Sequence, residues 1–170
     1  MSEASSSPLL EIRDLSLDFG ERRLYEGLSL TLGQGEKIAI TGRSGSGKTS
    51  LLKCILGFMA PASGSISLQG VRLDPRSVWP ARISLGYVPQ EPELGGLTAE
   101  EFIRMPFRYR ANRGLIWDET RLRELCAAFH LDEGLLSQSS RKLSGGEKQR
   151  VALIASLLLK RRLYLFDEIT

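Results

Sequence analysis

The sequence predicts an α/β fold in which strands flank a helical insert, and three observations support this prediction. A short β-branched run, "KIAIT" at residues 37–41, leads directly into a glycine-rich loop and an apolar helical stretch. Another apolar run, "LYLF" at residues 163–166, ends in two adjacent carboxylates, Asp167 and Glu168. Between the two runs, apolar residues recur at the i, i+3, i+4, i+7 spacing of an amphipathic helix at Leu122, Leu125, Cys126 and Phe129. Strands on either side of a helical insert indicate a single α/β domain.

The composition is that of an ordinary globular chain of about one domain. Its 170 residues are 42% hydrophobic and 25% charged, which supplies enough apolar material for a core. Residues 1–8 lack the basic start and long apolar run of a signal peptide, so we expect a disordered tail there and one domain over residues 9–170. The longest apolar stretch, at residues 151–159, is about half of the roughly 20 residues that a membrane span needs. We therefore expect no membrane-spanning segment.

The cysteines and the basic residues receive structural interpretations. Cys54 and Cys126 each lie in an apolar helical pattern, which favours buried free thiols over a disulfide or a metal site and indicates a reducing compartment.

The net charge is +3, and "KRR" occupies residues 160–162. Four further arginines crowd one region: Arg104, Arg108, Arg110 and Arg113. We interpret these groups as solvated faces, with a nucleic-acid or lipid-headgroup patch as the alternative.

The first half of the chain is predicted to form most of the strands. Runs of alternating or β-branched residues between turn signals are "LLEIRDLSLDF" at residues 9–19, "LSLTL" at residues 28–32, "KIAIT" at residues 37–41, the hairpin arm "SGSISLQGVRL" at residues 63–73 and "RISLGYVPQ" at residues 82–90. The "KIAIT" run suits a buried strand, and Pro89 breaks the last of these strands. Gly57 is a plausible C-cap for the helix that follows the glycine-rich loop.

The second half is predicted to be mainly helical. Thr98 and Glu101 have the spacing of a capping box, so a helix begins there and runs to about Met105. The amphipathic pattern predicts a helix over residues 118–130, with its apolar face in the core. A third helix follows Ser144, and the chain closes on the buried strand at residues 163–166.

The segment "GRSGSGKT" at residues 42–49 matches the phosphate-loop pattern GxxxxGK[ST], and it lies after a strand and at the head of a helix, as that pattern requires. Gly45 and Gly47 let the backbone curl into an anion nest, to which the helix adds its positive end. We expect Lys48 to reach the β- and γ-phosphates and the Thr49 hydroxyl to bind Mg²⁺. The alternative is a Gly/Ser-rich turn with an accidental Lys-Thr. The expected nucleotide-binding residues here are Gly42, Arg43, Ser44, Gly45, Ser46, Gly47, Lys48, Thr49 and Ser50.

The phosphate loop gives the two carboxylates a chemical purpose. In nucleotide hydrolases with such a loop, an Asp at the end of a neighbouring buried strand holds Mg²⁺, and Asp167 has that position. Glu168 would then point at the γ-phosphate and orient or deprotonate the attacking water, so it is the expected catalytic residue. A strand that ends in solvated acids is the alternative.

The segment "LSGGEKQR" at residues 143–150, called here the signature segment, predicts a second anion-binding helix tip. Ser144 and Glu147 form a capping box, and Gly145 and Gly146 leave the first backbone N–H groups accessible. One nucleotide has no need of two such tips from one chain. A second copy of the chain, facing head to tail, would use the second tip.

These segments together resemble the nucleotide-binding domain of ABC (ATP-binding cassette) proteins. The phosphate loop, the signature segment and "LYLFDE" at residues 163–168 match the family's Walker A, signature and Walker B motifs in the expected order. The resemblance makes Gln90 the Q-loop glutamine that contacts Mg²⁺ and senses the γ-phosphate. It also places Phe19 where the family has an aromatic residue that stacks on adenine, although a core role for Phe19 is a close alternative.

The resemblance implies a P-loop NTPase with a RecA-like core, an antiparallel β-subdomain and a helical subdomain at about residues 91–158. It implies an ATPase subunit that uses ATP and Mg²⁺, with Mg²⁺ held by Thr49, Gln90 and Asp167. Ser144, Gly145, Gly146 and Glu147 would contact the ATP of a partner chain in a sandwich homodimer. Integral-membrane permease subunits are the implied partners at the cytoplasmic face of the inner membrane, and no nucleic-acid partner is expected. The sequence also resembles small cassettes of the iron-export type, and this resemblance is less specific than the one to the ABC family.

The sequence also departs from the family. The family's D-loop and switch histidine would lie past Thr170. His130 precedes the signature segment, so it cannot serve as the switch histidine. We therefore expect a cassette whose C-terminal part is missing, and weak nucleotide binding with slow or absent hydrolysis by this form. Two alternatives to a transporter subunit stay open: a soluble ABC ATPase that acts on ribosomes or DNA, and a different P-loop enzyme such as a small-molecule kinase.

Overall fold

The computed structural model describes residues 7–169, and the chain forms two compact units, Met1–Arg82 and Ile83–Thr170. Of the predicted tail at residues 1–8, all but Ser7 and Pro8 lie outside the described residues. Each unit has its own sheet, one of four strands and one of two. The mixture of strands and helices confirms the α/β prediction.

The first unit is built on an antiparallel sheet with the strand order β2-β1-β3-β4. Its strands are β1 (Leu10–Phe19), β2 (Arg22–Leu32), β3 (Ser63–Leu68) and β4 (Val71–Arg72). Apolar residues of β1 alternate with polar ones, and a register shift at Asp14, whose φ is 46°, restores the inward direction for Leu15 and Leu17. This sheet confirms the predicted antiparallel β-subdomain.

Two helices complete the first unit, α1 (Lys48–Ile55) and α2 (Val78–Arg82). The end of α1 is a Schellman motif in which Gly57 N–H donates to Cys54 O and Phe58 N–H donates to Lys53 O. Gly57 adopts the left-handed φ of 68° that this motif requires. Gly57 therefore ends the helix as predicted, one position after the C-cap residue Leu56.

The predicted buried strand at residues 37–41 is wrong for this structure. These residues form neither strand nor helix and are exposed, with Ile38 at 43% and Ile40 at 36% exposure. A strand exists only through hydrogen bonds to a neighbour, and the four strands of this unit pair with one another. The β-branched composition alone does not supply that neighbour.

The second unit combines two parallel strands, β5 (Leu85–Val88) and β6 (Leu163–Phe166), with three α-helices. The helices are α3 (Ala99–Arg104), α4 (Glu119–Ala128) and α5 (Gly145–Leu158). Short 3₁₀ turns connect them at Met105–Arg108, Arg110–Asn112, Glu133–Ser137 and Ser140–Lys142. Capping boxes at Thr98 and Ser144 start α3 and α5, as predicted. The predicted helix over 118–130 is α4, with Asp118 as its N-cap.

An apolar core holds the three helices of the second unit together. Its most deeply buried members include Ile103 of α3, Leu122 and Cys126 of α4, and Val151 and Ile154 of α5. Cys54 and Cys126 are buried free thiols, as predicted. Burial raises the pKa of Cys54 to about 11. Over the part of the chain that the structure describes, no helix combines the length and apolar character that crossing a bilayer requires.

Replacing Gly57 with Ala should lower the free energy of unfolding by roughly 2 to 4 kcal/mol. An alanine there would hold a strained left-handed φ, and its Cβ would collide with the Val78 side chain. Gly35→Ala is the matched control, because Gly35 has a φ of 79° but open space around its Cβ. The control should lose only about 1 kcal/mol in urea unfolding. Equal losses for the two variants would contradict the collision.

Glu101→Gln should make stability less dependent on acid pH. The Glu101 carboxylate accepts from Thr98 N at 2.8 Å and Thr98 Oγ1 at 3.0 Å, which lowers the pKa of Glu101 from its ordinary value of about 4.5. A lowered pKa adds stability above the unfolded pKa, and this stability is lost as the pH falls through the folded pKa. Gln keeps a hydrogen-bond acceptor but carries no charge. The free energies of unfolding of the two proteins, measured in urea, should therefore differ near pH 7 and become equal near pH 3. Parallel curves across that range would refute this role.

Candidate functional site

The phosphate loop of the first unit has the backbone that its glycines predict. Gly45 has a φ of 75°, and Gly47 is the left-handed N-cap of α1 with a φ of 99°. The helix begins at Lys48, so the N–H groups of residues 48–50 lie in its first turn and point toward the loop. The loop therefore ends in a helix tip with donors suited to an anion.

Lys48 closes the phosphate loop on itself. Its Nζ donates to Gly42 O at 3.0 Å and to Arg43 O at 3.3 Å. Burial raises the pKa of Tyr25, and the positive charge of Lys48 partly offsets this rise. A Cβ on Gly47 would lie 3.0 Å from the Tyr25 ring, so close packing as well as φ favours glycine there. The ammonium of Lys48 is thus held by two carbonyl oxygens of the loop.

Phe19 lies at the end of β1, where the hairpin turns into β2. It pairs with Arg22 across the hairpin and its side chain is 64% exposed. The alternative of a core role for Phe19 is therefore wrong, and its role as an adenine-stacking residue stays a prediction.

In the second unit, Gln90 and Glu168 meet at the end of the parallel strands. The last pair of the ladder is Val88 with Phe166, so both residues lie two positions past paired residues. The Gln90 Nε2 donates to the Glu168 Oε2 at 2.9 Å. Glu168 has a φ of 48°, a left-handed conformation that costs a non-glycine residue roughly 1 to 3 kcal/mol. The backbone of Glu168 is therefore strained, and its carboxylate lies within hydrogen-bond distance of Gln90, the predicted Q-loop glutamine.

Asp167 is buried at the same strand end. Only 4% of its surface is exposed, and its N–H extends the ladder by donating to Val88 O at 3.0 Å. Burial raises the pKa of Tyr87, and the charge of Asp167 and a hydrogen bond to its carboxylate raise it further. Among the described residues there is no group of three or more His, Cys, Asp or Glu side chains that could hold a metal ion.

The signature segment forms the capped tip of α5. Ser144 Oγ accepts from Glu147 N at 3.3 Å, and the Glu147 carboxylate accepts from Ser144 N at 2.7 Å. The Ser144 N–H and the Ser144 hydroxyl both donate hydrogen bonds to the Glu147 carboxylate, which lowers the pKa of Glu147. Gly145 has open space around its Cβ position, so the backbone of the tip is accessible.

A cleft of about 620 Å³ in the second unit brings several of these residues together. It is lined by Gln90, Glu91, Pro92, Glu93, Gly145, Gly146, Lys148, Gln149 and Glu168. The phosphate loop and Phe19 belong to the first unit, whereas Gln90, the signature segment and both carboxylates belong to the second. The sequence prediction missed Gln149, whose Nε2 donates to Gln90 O at 2.8 Å. Its position within the signature segment is the only signal that could have pointed to it.

Comparison with known proteins identifies the family. The family model described as "ABC transporter" matches residues 25–170. The cobalt import ATP-binding protein CbiO of Syntrophus aciditrophicus is 39% identical over 95% of this chain and 59% of its own length. The probable iron export ATP-binding protein FetA of Escherichia coli is 31% identical over 97% of this chain and 72% of its own length. The chain thus spans about three fifths of the CbiO protein.

A solved structure agrees with these relatives. The ATP-binding subunit of an ABC transporter superposes with a TM-score of 0.79 at 34% identity, over 94% of this chain and 66% of that one. The match supports the P-loop NTPase fold that the phosphate loop indicates. Because the family model covers most of the sequence, the chain belongs to the ABC transporter family as an ATP-binding domain.

Proposed function

We propose that this chain binds and hydrolyses ATP as the energy-supplying subunit of an ABC transporter. The observation that carries the proposal is the contact between Gln90 and Glu168, in a cleft that the glycines of the signature segment also line. A base candidate, a γ-phosphate sensor candidate and an anion-binding helix tip are what ATP hydrolysis by a sandwich dimer requires. The phosphate loop of the first unit supplies the nucleotide site.

ATP is held first by the phosphate loop. The α1 tip and the loop N–H groups cradle the phosphates, and Lys48 exchanges its bonds to loop carbonyls for bonds to phosphate oxygens. The remaining loop residues, Gly42 to Ser50, shape the nest. The exposed ring of Phe19 offers a π-face on which adenine stacks.

Mg²⁺ is the proposed cofactor. The family resemblance implies that Thr49 of the first unit would offer the ion a hydroxyl oxygen, and that Asp167 and Gln90 of the second unit would offer a carboxylate and an amide oxygen. These hard oxygen donors suit Mg²⁺, which keeps several waters and commonly takes one or two carboxylates together with substrate phosphates. The Gln90 nitrogen faces Glu168, so its oxygen is on the opposite side of the amide and can take a cation. The bound ion would neutralise charge on the transferred phosphoryl group.

Glu168 is the proposed general base. Its carboxylate orients or deprotonates the water that attacks the γ-phosphate, and Gln90 holds the carboxylate in place through its amide N–H. Glu168 lies two residues past the end of β6 and has a left-handed φ of 48°.

The proposed assembly is a homodimer bound to membrane permease subunits. The α5 tip of each chain, with Ser144, Gly145, Gly146 and Glu147, would contact the ATP held by its partner. Separate permease subunits would place the dimer at the cytoplasmic face of the inner membrane. The names of the relatives support this partner class, since both are ATP-binding proteins of import or export systems.

Lys48→Ala should weaken ATP binding roughly ten- to a hundredfold, because it removes a charged hydrogen-bond donor to phosphate. Isothermal titration calorimetry with ATP and Mg²⁺ measures this loss. Lys53→Ala is the matched control, since Lys53 is an exposed residue on the same helix and the substitution removes the same charge. Equal affinities for the two variants would count against the phosphate loop as the ATP site.

Glu168→Gln should slow single-turnover ATP hydrolysis by about 10² to 10⁴ and leave ATP affinity nearly unchanged. Because ATP then persists, sedimentation with ATP and Mg²⁺ should show a dimer. Glu93→Gln is the control, as Glu93 lines the same cleft without a proposed role. A Glu168→Gln protein that hydrolyses ATP at the original rate would exclude Glu168 as the base, and one that binds ATP but stays monomeric would exclude the sandwich.

A further inference from the structure

The segment after β5 has little backbone support of its own. Pro89 and Pro92 bring no backbone N–H, so they cannot donate hydrogen bonds. Among the described residues, 89–93 take part in no backbone-to-backbone hydrogen bond outside helices and strands. A segment of this kind depends on side chains from neighbouring elements to fix its path.

Gln149 on α5 provides such a side chain. Its Nε2 donates to the carbonyl oxygen of Gln90 at 2.8 Å, across 59 positions of the sequence. A carbonyl oxygen only accepts, so the amide of Gln149 must present its nitrogen. The bond therefore has one orientation and fixes the backbone of Gln90 against the helix.

A second hydrogen bond joins the side chain of Gln90 to Glu168. The Gln90 side chain donates through Nε2 to Glu168 Oε2 at 2.9 Å. The carboxylate also only accepts, so the amide of Gln90 is oriented as well. Two hydrogen bonds thus connect α5 to Glu168 through Gln90, one at its backbone and one at its side chain.

We propose that Gln149 is a positioning residue, which fixes the backbone of Gln90 and thereby the contact of Gln90 with Glu168. This inference rests on the proposed function for the role of Glu168 as the base. Gln149 lies on the same helix as the glycine tip, four residues after Gly145. A shift of α5 when its tip meets the ATP of a partner chain therefore changes the contact of Gln90 with the base in its own chain.

The test compares Gln149→Leu and Gln149→Glu with the control Gln138→Leu. Leucine removes the donor at similar size, and glutamate places a carboxylate against the Gln90 carbonyl. Gln138 is an exposed residue of the same unit, and its described hydrogen bonds come from its backbone. Thermal unfolding of each variant checks that the fold is kept.

Nitrogen-15 relaxation of the nucleotide-free chain gives the first measurement. With either Gln149 variant, the order parameter of the Gln90 backbone N–H should fall from about 0.85 to below about 0.6, and the control should not change it. An unchanged order parameter in a folded variant would overturn the proposal. A wild-type Gln149 side-chain amide as mobile as that of a free glutamine would overturn it too, without any variant.

Single-turnover hydrolysis gives the second measurement. The rate should fall roughly three- to tenfold in the Gln149 variants, the size expected from one lost hydrogen bond, while the Kd for ATP stays within about twofold. Lost order at Gln90 with an unchanged rate would contradict the positioning role. A wild-type chain that binds no ATP would instead refute the proposed function, and relaxation alone would then decide whether Gln149 holds Gln90.

Discussion

The parallel pairing of β5 with β6 is the constraint on which the second unit depends. Four residue pairs, from Leu85 with Leu163 to Val88 with Phe166, run without a register shift, and Asp167 adds one further hydrogen bond to Val88. Parallel strands end at one edge of a sheet, so the two chain segments that follow them emerge side by side. A slip of one residue would turn Asp167 out of the interior and move Glu168 away from Gln90.

Close packing at Gly86 of β5 brings the β5–β6 pair against α5. A Cβ on Gly86 would lie 2.5 Å from the Tyr164 ring of β6 and 2.6 Å from Ser156 Oγ of α5. Only glycine lets both neighbours approach the strand so closely. The same helix places Val151 and Ile154 in the apolar core, so the direction of α5 is fixed by burial. The glycine tip and Gln149 take their positions from that direction.

The phosphate loop and Glu168 both contain left-handed backbone, but at different energetic cost. The phosphate loop obtains its left-handed residues from Gly45 and Gly47, for which positive φ carries little cost. Glu168 has the same kind of φ with a full side chain, and the surrounding structure must offset that cost. A left-handed φ does not by itself mark a catalytic residue, because Asp14, Gln69, His130 and Lys160 have similar values. Glu168 is the member of this group that is proposed to act on water.

By itself the sequence determined the features that depend on neighbours along the chain. The capping boxes at Thr98 and Ser144, the helix end at Gly57 and the curled phosphate loop follow from local hydrogen bonds and from glycine φ angles. Family membership also followed from motifs of a few residues each. Only the tertiary structure decided what depends on distant partners. Residues 37–41 have strand composition but no strand, and Gln149 meets a carbonyl 59 positions away, because hydrogen bonds between distant segments depend on packing that no local pattern encodes.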